Sequence, residues 1–168
     1  KALSELVQKG VIRRVCRGVY DYPPYSQLLK QELSPDIEQV AYAIARKFKW
    51  RIQPSGNTAL NYLGLSSQVP AHYLYISDGP TRTYIIEKIQ LQFKHSALKE
   101  VGFKYKESAL MVQALKTLGK DHIDKAVLKK IKNQMRGISA SQILKDTRHV
   151  SAWVFVYIQK MYKEIENE

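Results

Sequence analysis

The chain has 168 residues, enough for one domain of ordinary size or for a small domain joined to part of another. Its 27 basic residues outnumber its 15 acidic ones, and the formal net charge of +12 indicates a polyanionic partner. Nucleic acid is favoured over a membrane surface as that partner. The alternative is that the charge serves only to keep the protein in solution. No run approaches the roughly 20 consecutive apolar residues that cross a bilayer, so we expect no membrane-bound segment.

The cysteine and the start of the chain give two further expectations. A single cysteine, Cys16, excludes an internal disulfide and argues against a cysteine-based zinc site. A reducing, cytoplasmic setting fits this cysteine usage. The sequence opens without methionine, inside an apparent helix, and shows no signal peptide. We therefore expect the native N-terminus to lie upstream of Lys1.

The first 24 residues form one basic unit in our interpretation. Residues 1–9 place apolar side chains at helical spacing, and Gly10 stands where that helix would end. Two alternating segments, 11–15 and 19–22, predict a β-hairpin. We expect residues 1–24 to be the C-terminal remnant of a winged helix-turn-helix domain.

A connector and a larger domain follow. Residues 25–33 are predicted to link the two parts while packing the apolar side chains of Leu28, Leu29 and Leu33. The larger domain spans residues 34–168, and its first helix is predicted to begin with Ser34 as N-cap.

Residues 34–168 show a strand-rich middle and a helical end. After the first helix, the predicted elements are a strand at 50–54, a helix at 57–63, a strand at 71–77 and one or two strands within 81–95. The predicted C-terminal helices are 107–118, 122–135 (capped by Asp121), 139–146 and 149–166. The apolar residues of the last helix predict either a central core position or a face for a partner. The expected fold class is α+β: a partial winged helix, then a mixed domain with a small antiparallel sheet and a helical C-terminal part.

The sequence offers no arrangement typical of catalysis. Phosphate-binding glycine loops, a nucleophile elbow and a paired-histidine zinc motif are all missing. The histidines lie far apart, and Asp121 with Asp124 is better explained by helix capping than by a metal. We therefore predict no catalytic residue, no metal, no cofactor and no enzymatic activity.

The basic residues near the N-terminus are the first candidate site. A helix in the major groove followed by a basic hairpin is the winged form of helix-turn-helix docking. On that model Ser4 and Gln8 face base edges, because each can donate and accept hydrogen bonds. The expected phosphate contacts are Lys9, Arg13, Arg14 and Arg17. The alternative is a solvated hairpin that only closes a core.

A second basic face lies on the predicted helix 122–135. Its cations recur at steps of four, three and four residues, at Lys125, Lys129, Lys132 and Arg136. Such a face fits nucleic-acid phosphates or an acidic protein, and a plain solvated surface is the third possibility.

Two segments resemble a known family. The first resembles the recognition helix and wing of antitoxins of the abortive-infection E type, and it reads ALSELVQKGVIRRVCRGVYDYP from residue 2. The second is similar to the antitoxin-domain core of the same family, and it reads SGNTALNYLGLSSQVPAHYLYISDGPTRTYII from residue 55. The matching positions in that core are Gly56, Ala59, Leu60, Leu63, Gly64, Leu65, Ser66, Gln68, Pro70, Tyr75, Gly79, Pro80 and Arg82.

The resemblance implies a function in phage defence. Such proteins are antitoxins of type IV toxin–antitoxin pairs: they repress their own operon through a complete winged helix and counteract a nucleotidyltransferase-like toxin through the larger domain. The turn 78–80 presents Arg82, which we therefore take as the first candidate for partner contact. The alternative function is an RNA-binding module that acts through the basic helical face without a toxin.

Overall fold

The computed structural model describes residues 2–97 and 101–163, and within them the chain adopts an α+β fold. The helices are α1 (Ala2–Gln8), α2 (Ile37–Phe48), α3 (Asn57–Tyr62), α4 (Lys106–Leu118), α5 (Lys125–Gln134), α6 (Ala140–Thr147) and α7 (Ala152–Lys163). The strands are β1 (Arg13–Cys16), β2 (Val19–Asp21), β3 (Tyr25–Ser26), β4 (Gln31–Glu32), β5 (Ile52–Pro54), β6 (His72–Ser77), β7 (Arg82–Ile86) and β8 (Ile89–His95).

Helix α2 begins later than predicted. Asp36 is its N-cap and accepts a hydrogen bond from the Gln39 backbone N–H at 3.2 Å. A carboxylate at this end also suits the positive pole of the helix dipole. The prediction of Ser34 as N-cap is wrong, because the Ser34 hydroxyl donates instead to Glu87 at 2.8 Å. The apolar face of α2 is buried at Ile37, Val40, Ala41, Ile44 and Ala45, whereas Phe48 at the end of the helix is exposed.

Strands β5 to β8 form a mixed sheet in the order β5-β6-β8-β7, so the predicted antiparallel sheet is wrong. Strands β6 and β8 run parallel, with Tyr75 beside Phe93, while the other pairs are antiparallel. The segment 78–81 crosses the end of β8 and places β7 at the outer edge. The β7–β8 hairpin at Glu87 then returns the chain between its neighbours. Alternation of side chains marks a strand but does not specify its direction, which depends on this crossing.

Two hydrophobic clusters organise the described residues. The first lies between α2 and one face of the sheet and contains Tyr75, Leu91 and Phe93. The second lies among α3 to α7. Helix α3 contributes to both, since Ala59 is buried in the helical cluster and the Tyr62 hydroxyl shares a 2.7 Å hydrogen bond with that of Tyr75. Burial raises the pKa of both phenols, so they stay protonated at neutral pH.

Residues 25–33 differ from the predicted packed connector. They include the small β3–β4 hairpin, in which Leu28 is 91% exposed. Leu29 and Leu33 are exposed as well, so the predicted packing of all three leucines is wrong. The two short strands pair only with each other and join no larger sheet among the described residues.

The helical end follows the prediction closely, with one change of cap. Asp124, not Asp121, caps α5, because its carboxylate accepts the Val127 N–H at 2.8 Å. Helix α7 buries Val154, Ile158 and Met161 in the helical cluster, while Val156 on its other side is 46% exposed. Residues 164–166 of the predicted last helix lie outside the described residues. No helix within the described ranges is long and apolar enough to cross a membrane.

Candidate nucleic-acid interface

The β1–β2 hairpin is fixed on the body of the protein. Val19 is only 6% exposed and belongs to the cluster between α2 and the sheet, against which Val15 and Cys16 also pack. At the turn, the Lys47 ammonium donates to the Arg17 carbonyl at 2.8 Å. Gly18 has φ +75°, a conformation that favours glycine, and an added Cβ would collide with the Lys47 amine. The basic hairpin is therefore held against the body of the protein beside and at its turn.

Arg13 acts within the fold. Its guanidinium donates to both carboxylate oxygens of Asp21, at 3.1 and 2.6 Å, and to the Leu33 carbonyl at 3.0 Å. Glu87 lies 3.9 Å away on the other side. The bonds to Asp21 raise the pKa of Arg13. This side chain, one of the predicted phosphate contacts, ties the hairpin to the start of the larger domain.

Arg14 and Arg17 have different surroundings from Arg13. Both side chains are exposed and form no ion pair with any described residue. Beside them, burial raises the pKa of Cys16 in spite of the positive charges of Lys47 and Arg14. The thiol is therefore protonated at neutral pH and is a poor nucleophile.

Helix α1 presents its predicted contact residues to solvent. Ser4, Gln8 and Lys9 are exposed, and Ser4 and Gln8 share one face because they are four residues apart. No described side chain of α1 is buried, and both Leu3 and Leu6 are exposed. The structure thus places a polar face and an uncovered apolar face on the same short helix.

Arg82 lies beside residues that the sequence interpretation missed. Its Cζ is 5.1 Å from the ring centroid of Phe48 and 5.6 Å from that of Trp50. Lys47 lies over the same Phe48 ring at 5.2 Å. The segment KFKWR (47–51) carries a signal in the sequence, the interleaving of basic and aromatic residues, although cations at the end of a helix also suit the helix dipole. Lys47 therefore lies between the Phe48 ring, which Arg82 also contacts, and the backbone of the hairpin turn at Arg17.

Three of the four cations of the second basic face lie on α5, and Arg136 follows the end of that helix. Lys125, Lys129 and Arg136 are exposed, and Lys132 lies 5.4 Å from the Tyr162 ring centroid. None of these four cations forms an ion pair with a described residue. The opposite side of α5 packs into the helical cluster, so this face belongs to a different core from the hairpin.

The described residues form a cleft with carboxylates in its lining, but they include no cluster that could hold a metal ion. A cavity of about 250 Å³ between α2, α3 and α4 is lined by Glu38, Glu107, Tyr42 and Tyr62, among others. Among the described residues, no three His, Cys, Asp or Glu side chains are close enough to hold a metal ion. Asp124, considered from sequence as a metal ligand with Asp121, is engaged in capping α5.

The chain matches a known protein family over most of its length. A family model described as a family of unknown function (DUF6088) matches residues 1–143, and the chain belongs to that family. The matched region includes the hairpin, the sheet and α5. A search of curated proteins finds no match.

The contrast between Arg13 and its neighbour gives a stability prediction. Arg13→Ala should lower the free energy of unfolding by about 1 to 2 kcal/mol, because it removes a charged, part-buried hydrogen-bond pair. Arg14→Ala is the matched control, and removal of this exposed side chain should change stability by at most about 0.5 kcal/mol. Urea denaturation measures both values. Equal losses in the two variants would contradict the assigned role of Arg13.

Proposed function

We propose that the chain, as a member of the DUF6088 family, is a non-catalytic cytoplasmic antitoxin of a type IV toxin–antitoxin pair. It binds the DNA of its own operon through α1 and the β1–β2 hairpin, and its larger part counteracts a nucleotidyltransferase-like toxin. The observation that carries the proposal is the fixed hairpin, whose Arg14 and Arg17 are exposed and lack acidic partners among the described residues.

The arrangement of α1 supports a winged-helix interpretation. A recognition helix needs one polar face for base edges and one apolar face for the helices that hold it. Helix α1 has both, with Ser4 and Gln8 on the first and Leu3 and Leu6 on the second. The hairpin that follows supplies the wing, and its cations suit the phosphate backbone.

The central segment that resembles the antitoxin core also supports the proposal. It forms α3, the loop after it, β6 and the crossing to β7 as one connected unit. Within this unit the Asn61 amide donates to the carbonyls of Ser66 and Gln68, at 3.3 and 2.8 Å, and fixes the loop. A preformed surface of this kind suits recognition of another macromolecule, because little entropy is lost on binding.

The DNA-binding part predicts a charge-dependent loss of affinity. In the complete gene product, Arg14→Ala combined with Arg17→Ala should weaken binding to a duplex from the upstream region about ten- to a hundredfold at 0.15 M salt. It should also reduce the log–log salt slope by about two, because each phosphate contact contributes roughly 0.9. Fluorescence anisotropy at several salt concentrations measures both.

The control for this pair removes the same charge elsewhere. Lys88→Ala with Lys94→Ala deletes two exposed cations on or next to β8. This variant should keep its slope within about half a unit of the parent. If the arginine pair bound DNA as the parent does, the wing assignment would be wrong.

A second candidate function, RNA binding, is favoured by the second basic face, whose four cations form no ion pair with a described residue. Exchange of Lys125, Lys129, Lys132 and Arg136 to Glu would reverse this face. On the RNA hypothesis, the variant loses affinity for a structured RNA such as bulk transfer RNA, by about tenfold or more. On the antitoxin hypothesis, we expect an adjacent gene to encode the toxin. Co-expression of the two proteins then tests whether this chain protects cells from that toxin.

The two readouts of the reversed variant separate the hypotheses. Unchanged RNA affinity would exclude the RNA-binding module. Unchanged protection of cells from the toxin would remove the α5 face from the antitoxin mechanism. A matched variant that retains Lys132 controls for lost packing, since that side chain lies against Tyr162.

A further inference from the structure

An aromatic stack closes the C-terminal end of α2. Phe48 and Trp50 lie with ring centroids 4.8 Å apart and an interplanar angle of 20°. Lys49 between them has φ +58°, which ends the helix in a left-handed turn. Trp50 also contacts buried Phe93 edge-on at 5.6 Å. The stack is thus anchored in the core, while Phe48 at its outer end is 37% exposed.

The loop before β7 is shaped around this stack. Gly79 lies against the Trp50 indole, and a side-chain carbon at that position would overlap the ring. The loop is held by the Ser77 hydroxyl, which accepts the Gly79 N–H at 3.0 Å, and by the Thr81 hydroxyl, which accepts the His95 N–H at 3.0 Å. It therefore delivers Arg82 to a fixed place over both rings. Gly79 and Arg82, which both belong to the segment that resembles the antitoxin core, therefore contact the same aromatic stack.

Arg82 is held in a form suited to an anionic ligand. A guanidinium over an aromatic face keeps its in-plane N–H donors directed outward, where a phosphate can accept two of them. Arg82 is exposed and has no ion pair with a described residue. The carboxylate of the preceding loop, Asp78, accepts the Arg51 N–H at 2.8 Å. Arg82 is thus oriented by the rings and not neutralised by a described residue.

Lys47 connects this site to the hairpin. Its ammonium lies 5.2 Å from the Phe48 centroid and bonds the Arg17 carbonyl in the hairpin turn. Lys47 and Arg82 therefore both lie beside the Phe48 ring, and Lys47 joins this site to the backbone of the hairpin turn. Like charges gathered in this way repel one another, and an anionic ligand would relieve that repulsion.

We propose that Lys47, Phe48 and Arg82 extend the DNA-binding surface of the hairpin, with Lys47 and Arg82 contacting the phosphate backbone of the same duplex. Continuity with the hairpin favours duplex DNA over an acidic protein as the ligand. The inference rests on the proposed function, but it assigns to DNA a part of the larger domain. Arg82 then positions the duplex and does not read its sequence.

The test uses the complete gene product with two probes, a duplex from its upstream region and an unrelated duplex of equal length. Arg82→Ala should weaken binding to both duplexes by a similar factor, about three- to tenfold at 0.15 M salt, and reduce the salt slope by about one. Phe48→Ala should weaken binding about two- to threefold with the slope unchanged, because the charge remains and only its orientation is lost. Lys94→Ala is the matched control, an exposed cation on β8 for which we expect no change. Circular dichroism melting curves confirm that each variant is folded.

Each outcome decides between the inference and the proposed function. If Arg82→Ala binds both duplexes as the parent does while the Arg14 and Arg17 pair does not, the inference is wrong and the wing stands. If Arg82→Ala weakens binding and the arginine pair does not, the inference stands and the wing is wrong. If the parent binds neither duplex at 0.05 M salt, both are wrong. Loss of toxin protection in Arg82→Ala with unchanged DNA binding would assign Arg82 to a protein partner and overturn the inference.

Discussion

Val19 reaches from the β1–β2 hairpin into the cluster between α2 and the sheet, and Lys47 bonds the turn of the same hairpin from the end of α2. A basic hairpin that hung free would lose backbone and side-chain entropy on binding DNA. These contacts order the hairpin before any ligand arrives. They also place its turn beside the ring that carries Arg82, so the proposed interface depends on this seating.

The distribution of charge divides the cations of the hairpin by role. Arg13 is bonded to Asp21 and stabilises the fold, whereas Arg14 and Arg17 have no acidic partner among the described residues. Exposed cations without an acidic partner contribute little to the stability of a fold. The fold gains no stability from such an arrangement. An anionic partner gives it a physical purpose.

The sequence predicted most elements but fewer of their contacts. Helical spacing located α2 and α5, because an apolar stripe is a local feature, but both N-caps lie two or three residues later than predicted. The parallel pairing of β6 with β8 was missed because the crossing at 78–81 is decided by the whole sheet. The candidate nucleic-acid interface was likewise predictable from the sequence only in part. Exposed Arg14 and Arg17 follow from a basic hairpin, whereas the stack of Arg82 on Phe48 joins residues that lie 34 positions apart.

Hydrogen–deuterium exchange of the complete gene product, with and without a duplex from its upstream region, tests the central claim most directly. The proposed interface predicts slower exchange on DNA binding in the hairpin turn (14–19), the end of α2 (47–51) and the start of β7 (79–83). Exchange along 125–136 should be unchanged. Protection confined to 125–136, with the hairpin and the end of α2 unaffected, would contradict the account.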